Sequence, residues 1–334
     1  MEQLHARTPD YAFHAESYRE GELWRAGLAA ALRDALALPS MEGGLAPPVL
    51  LERTDCGTYI REHMEMATAP HLTMPFYLLT PKEAQPLYPA VLACPGHGYG
   101  YKQLLGLLPD GTARTGEPGL YKDYPAELAR RGMMVIVPEL LGLGDRRLER
   151  DRDKEPEANS CFSLAMNLLM AGKTLAGFRV HEMMRCIDYV LSRGDVAPER
   201  IGCMGFSGGG FVCALTAALD ERIAATVISG YTNTFRDSTM AKPHCSDNYV
   251  PGLQRLAEMP DIWGLIAPRP LLIESGEADA GFPLYGALKA IGRLEDVYRA
   301  AGAEASLFKD IHPGKHEISG AVAFDWLQDR LGAG

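Results

Sequence analysis

The sequence predicts an α/β protein with a mostly parallel central sheet and helices on both faces, and three observations carry the prediction. From residue 90 onward, short apolar runs alternate with amphipathic helical patterns. A Gly-Phe-Ser-Gly-Gly run at 205–209 lies where one of these strands gives way to a helix. The composition, 334 residues at 47% hydrophobic and 23% charged, suits a folded globular chain and excludes disordered, collagen-like and coiled-coil classes.

In chain order, residues 16–38 carry apolar side chains at Leu23, Trp24, Leu28, Ala31, Leu32, Ala35 and Leu36, a helical stripe that Pro39 stops. The run MEGGLAPP at 41–48 reads as a linker. Residues 1–48 are thus an N-terminal helical extension, too small to be a domain. It is expected to pack on the main body or on a second subunit, and the second arrangement would make a homo-oligomer. Residues 49–334 read as one catalytic domain. Segments within 49–80, broken at Cys56-Gly57 and Ala69-Pro70, are expected as antiparallel strands at one sheet edge.

Further strands are predicted over 90–94, 133–137, 201–205, 225–229, 271–274 and 305–308. Helices are predicted over 121–131, 174–191, 211–219, 284–301 and 318–331, each repeating apolar residues at three- and four-residue spacing. The loops 95–120 and 230–260 are longer than the fold requires and leave the C-terminal ends of strands. They are natural walls or a lid for a site, because functional loops of such sheets gather at that edge.

A strand-turn-helix around 205–209 would force Ser207 into a strained conformation with its hydroxyl projecting at the sheet edge, while the flanking glycines let strand and helix approach. A dinucleotide-binding turn with a bystander serine fits less well, because Asp220 and Glu221 come too early for its acidic partner. A serine hydroxyl needs a base and a group to orient that base. Asp279 lies in the turn-rich loop after 271–274, and His316 follows 305–308 and is expected to open the final helix. Glu274 and Glu277 compete for the role of acid and His312 for that of base. The oxyanion donors expected are the N–H of Gly208 and, from the loop PGHGYG at 95–100, the N–H of Tyr99. Tyr101, Tyr231 and Trp263, on or beside the long loops, are candidates to stack on a substrate, and Lys102 and Arg236 could meet an anionic group.

The net charge of -10 argues against a broad basic face, so no nucleic acid and no membrane partner is expected. The basic stretch 146–154 is interleaved with acidic residues and reads as a solvated face. Seven cysteines without a C-x-x-C pair, with no basic-then-apolar leader over 1–10, lead to an expected cytoplasmic location. His63, His71 and the pair His244-Cys245 show no metal-ligand spacing, so neither a metal nor another cofactor is expected.

The set PGHGYG, GFSGGG, the loop 267–283 and the segment 311–327 resembles the α/β-hydrolase superfamily, and within it the dienelactone-hydrolase and acetyl-xylan-esterase-like branch. The likeness covers about 49–331 and extends to the helix at 172–193. It implies Ser207 as nucleophile, Asp279 as acid, His316 as base, and Tyr99 with Gly208 as oxyanion donors. Dienelactone hydrolases proper use cysteine as nucleophile, so Ser207 favours carboxylester hydrolysis. Without an export signal, polymeric xylan is not the expected substrate. The function expected is that of a serine esterase on small or short-chain acyl esters, acetylated sugars or related metabolites among them. An amidase or peptidase with the same residues, and a non-catalytic binding member of the fold, are the alternatives.

Overall fold

A computed structural model describes residues 8–14, 18–40 and 47–332. The predicted linker at 41–48 lies outside them except for its last two residues, as does the expected helix start at residue 16. Helix α1 (Tyr18–Leu36) lays its apolar stripe on the body of its own chain, with Leu28, Leu32 and Leu36 fully buried. Two polar ties hold it there. Thr174 Oγ1 donates to the Leu36 carbonyl at 2.6 Å, and Arg25 donates to the Leu265 carbonyl at 3.0 Å.

Among the described residues, nine strands form one sheet in the order β1-β2-β3-β5-β4-β6-β7-β8-β9. The strands are β1 (Val49–Asp55), β2 (Tyr59–Ala69), β3 (Leu72–Pro81), β4 (Tyr88–Cys94), β5 (Met134–Pro138), β6 (Val196–Phe206), β7 (Ala225–Ser229), β8 (Leu271–Gly276) and β9 (Leu307–His312). As expected, β1, β2 and β3 add antiparallel at one edge and all pairings from β5 to β9 are parallel. Successive side chains of a strand point to opposite faces. Leu92, Ile136 and Cys203 therefore enter one core, while Val91, Val135 and Met204 enter the other. On the first face pack α1, α5 (Leu175–Ser192), α6 (Gly208–Leu219), α8 (Met259–Gly264) and α9 (Leu284–Ala300); on the second lie α3 (Tyr124–Arg130) and α10 (Ala323–Leu331). Single turns α2 (Tyr101–Leu104) and α7 (Leu253–Leu256) sit in the two long loops.

Several elements depart from the sequence expectation, the short helices α2, α7 and α8 among them. The last helix begins at Ala323 rather than 318, because Gly320 takes φ +70° and the Ser319 N–H donates to the Glu274 carboxylate instead of to a helical carbonyl. Helix α4 (Cys161–Met170) was not expected. It buries Cys161 yet exposes Phe162 and Met170, so its apolar residues surround it and blur the periodic signal. No single helix among the described residues is long and apolar enough to cross a membrane; α4 and α5 together meet the length and composition, but they are bent by 100°.

Candidate active site

Ser207 follows the last residue of β6 and precedes the first of α6. Its φ of +55° and ψ of -127° lie where a side-chain-bearing residue is strained by about 1–3 kcal/mol, as the sequence reading required. The glycines around it are there for space. A Cβ on Gly205 would run into the Gly209 backbone, and one on Gly209 into the Cys94 and Pro95 carbonyls. Parallel neighbours β6, β7, β8 and β9 end at the same edge, so the loops after them converge.

His316 Nε2 lies 2.9 Å from Ser207 Oγ, and His316 Nδ1 lies 2.6 Å from Asp279 Oδ2. The other carboxylate oxygen, Asp279 Oδ1, accepts the N–H groups of Gly281 at 2.7 Å and Phe282 at 2.9 Å. Burial pushes the Asp279 pKa up, but the hydrogen bond and charge of His316 and these two amides outweigh it, so the net shift is downward. Phe206 and Phe282 flank the imidazole with ring centroids 4.6 and 5.8 Å away. His316 itself stands in the turn between β9 and α10, not at the helix start, because β9 runs on to His312.

The competing residues take other positions. Glu274 is buried on β8 and accepts from Ser229 Oγ at 2.6 Å; Glu277 is exposed; His312 ends β9, where its Nδ1 accepts from the Gly314 N–H at 3.1 Å.

Gly208 opens α6 directly after Ser207, with the His97 ring against its Cα. The Tyr99 N–H, expected to face an oxyanion, donates to Gln103 Oε1 at 3.2 Å. In this loop Gly96 packs close to the serine, since a Cβ there would lie 3.2 Å from Ser207 Cβ. The three aromatic residues expected to stack on substrate do not face one, because all three are buried. Tyr101 donates to Asp145 at 2.6 Å, Tyr231 donates to Asn248 at 2.9 Å and stacks on Phe211, and Trp263 is fully enclosed on α8. Lys102 pairs with Asp145 at 2.9 Å.

The Abhydrolase family pattern matches residues 1–299. The chain belongs to this family. As an α/β-hydrolase it is 31% identical over 238 residues to YtaP of Bacillus subtilis (strain 168), a protein provisionally named a hydrolase; the match covers 70% of this chain and 74% of that one. Its fold is similar to that of a protein from Bacteroides fragilis NCTC 9343 provisionally named an acetyl xylan esterase, with a TM-score of 0.80, 21% identity, and coverage of 93% and 80% of the two chains. It is also similar in fold to a glucuronoyl esterase from Solibacter usitatus, with a TM-score of 0.65, 17% identity, and coverage of 92% and 91%.

Around the serine of this α/β-hydrolase stand residues that sequence reading did not assign to the site. Phe282 stacks on His316, and His244 packs its ring 5.2 Å from Phe282. Burial pulls the His244 pKa down, as do the neighbouring positive charges. The signal for Phe282 was its place three residues after Asp279; His244 had none, because the loop that carries it has no periodic pattern. A cavity of about 820 Å³ opens in the same loop between Phe235, Met240, Tyr249 and Leu253, and neither Ser207 nor His316 lines it.

Proposed function

We propose that this α/β-hydrolase is a serine-dependent carboxylester hydrolase acting on small or short-chain acyl esters, acetylated sugars among them. The observation that carries the reading is the unbroken chain Ser207 Oγ to His316 Nε2 to Asp279, with contacts of 2.9 and 2.6 Å. The strained Ser207 backbone supports it, since such strain is kept where surrounding structure holds a residue for use. The choice of ester over amide is supported by the names of the structural neighbours.

In this mechanism Ser207 Oγ attacks the ester carbonyl while His316 Nε2 takes its proton. Asp279 holds the Nδ1–H tautomer and balances the imidazolium that forms. The oxyanion accepts from the Gly208 N–H and from a backbone amide of the 95–100 loop, with the Tyr99 N–H serving only if it leaves Gln103 Oε1. Collapse of the tetrahedral adduct expels the alcohol, which takes the proton from His316. Water then attacks the acyl-enzyme, giving its proton to His316, and collapse releases the acid and returns the proton to Ser207.

The test is intact-mass labelling by a fluorophosphonate alongside short-chain aryl-ester turnover, on wild type and Ser207→Ala. A single adduct and turnover, both lost in the variant, is the expected result. Turnover that persists in Ser207→Ala would remove the serine from the mechanism. Faster cleavage of an amide than of its matched ester would make the enzyme an amidase, and no adduct on folded wild type would make it a binding protein.

A further inference from the structure

Four potential metal-ligating side chains from three separate segments meet beside the serine. His97 comes from the loop after β4, Cys161 from the first turn of α4, and Cys245 and Asp247 from the loop after β7. One ligand atom from each lies within 4.8 Å of all the others. Asp247 Oδ2 is 3.4 Å from Cys161 Sγ and 3.0 Å from His97 Nε2. The last contact pairs the imidazole with the Asp247 carboxylate as an ion pair but is not aligned for a hydrogen bond, and among the described residues the buried His97 Nε2 has no hydrogen-bond partner. Cys161 and Asp247 are buried, whereas His97 and Cys245 are partly open, which leaves a way in for an ion.

We propose that His97, Cys161, Cys245 and Asp247 form a tetrahedral zinc site. Two sulfurs, one imidazole and one carboxylate are a donor set that suits this borderline-soft cation. With metal–ligand bonds of about 2.0–2.3 Å, the edges of the tetrahedron are about 3.3–3.8 Å. The carboxylate contacts are already near that span, and the wider pairs close by about 1 Å.

The charge also balances. Two thiolates and a carboxylate carry three negative charges, and zinc with the guanidinium of Arg179 supplies three positive ones. Arg179 is placed for this outer role. It hydrogen-bonds Asp247, sits 3.2 Å from Cys161 Sγ, and is held by the Leu141 carbonyl at 2.8 Å. Metal binding would release the two thiol protons and the proton that the Asp247 carboxylate favours on His97, which frees the Nε2 lone pair for the ion.

The consequence for the fold is a clamp. His97 belongs to the loop packed against Ser207, so the ion would pin that loop to α4 and to the long loop after β7. The proposal stands on these four residues and does not depend on the esterase reading.

The test uses the full chain, stripped with a chelator under reducing conditions and titrated with Co²⁺ alone, then with Zn²⁺. One equivalent of Co²⁺ is expected to give intense visible bands of tetrahedral cobalt and a near-ultraviolet thiolate-to-cobalt band, both erased by one equivalent of Zn²⁺. Cys245→Ser, at a half-buried position, is expected to keep the fold by circular dichroism, lose about half of the thiolate band and bind Zn²⁺ about tenfold or more weakly. Free thiols with no cobalt spectrum would overturn the proposal. So would a full spectrum in Cys245→Ser, or recovery of Cys161 and Cys245 as a disulfide whose reduction creates no metal binding.

Discussion

The backbone N–H of Ser207 donates to the Ser229 carbonyl at 2.9 Å, extending the parallel β6–β7 pairing one step beyond Phe206. The strained serine is thereby tied to the neighbouring strand. From Ser229 the link continues, because its hydroxyl donates to Glu274 Oε1, and the same oxygen accepts the Ser319 N–H at 3.0 Å from the segment just after His316. One buried carboxyl oxygen thus joins the strand that steadies Ser207 to the loop that carries its partner. Glu274 acts here as a positioning residue.

Glu274→Gln keeps an acceptor for both donors and offers an amide nitrogen where Glu274 Oε2 has no hydrogen-bond partner among the described residues. It is expected to retain most of the aryl-ester turnover. Glu274→Ala orphans both donors, at a cost of about 1–3 kcal/mol. It is expected to lower kcat with little change in KM, and rescue by Gln but not by Ala in paired kinetics and thermal melts is the check.

Asp279→Asn is expected to reduce kcat by on the order of 10⁴-fold, because the amide cannot hold His316 in the required tautomer. Circular dichroism should remain unchanged. The Asp279 carboxyl has a depressed pKa in the folded chain, so the stability it contributes is present above about pH 4 and is lost as pH falls through that lower value. Denaturant melts of wild type and variant should therefore converge in acid.

Glu139 is fully buried, and among the described residues its carboxyl oxygens accept the N–H groups of Tyr101 and Asp145, each at 3.3 Å. Burial first, then the Asp145 charge, raises its pKa from 4.5 to about 8. A raised carboxyl pKa means that the folded chain holds a proton the unfolded chain has released. Stability associated with Glu139 is therefore full below about pH 4.5 and falls as pH rises to about 8. Glu139→Gln, which cannot ionise, should gain on wild type through this window by on the order of a few kcal/mol. Urea melts at several pH values measure the gain.

Arg146 and Glu182 form a two-pronged pair at 2.7 Å with both side chains buried, and Thr68 adds a hydrogen bond to Glu182 at 3.0 Å. Arg146→Met leaves a carboxylate uncompensated in the interior and is expected to cost about 3–5 kcal/mol. Changing both residues to Met should recover most of that loss. A double variant no more stable than the single one would contradict the account.

Much of the architecture was legible because it rests on local rules. Alternating apolar runs located every strand from β4 to β9, and the Gly-Phe-Ser-Gly-Gly run at 205–209 marked the tight strand-to-helix turn. Ser207, Asp279 and His316 could be brought together on paper because β6, β8 and β9 are parallel and end at one edge. Boundaries shifted where a tertiary contact replaced a local one, as when Ser319 gave its N–H to Glu274 and delayed α10.

The sequence by itself determined the fold class, the order of the elements and the residues that end at the functional edge, since these follow from side-chain periodicity and from chain order in a parallel sheet. Only the tertiary structure decided what each loop side chain faces. Tyr101, Tyr231 and Trp263 look free on the page and are core, and the Tyr99 amide turned to Gln103. His97, Cys161, Cys245 and Asp247 have no spacing in common and yet meet. Burial and convergence depend on how distant segments pack against one another, and that information is carried by no single stretch of chain.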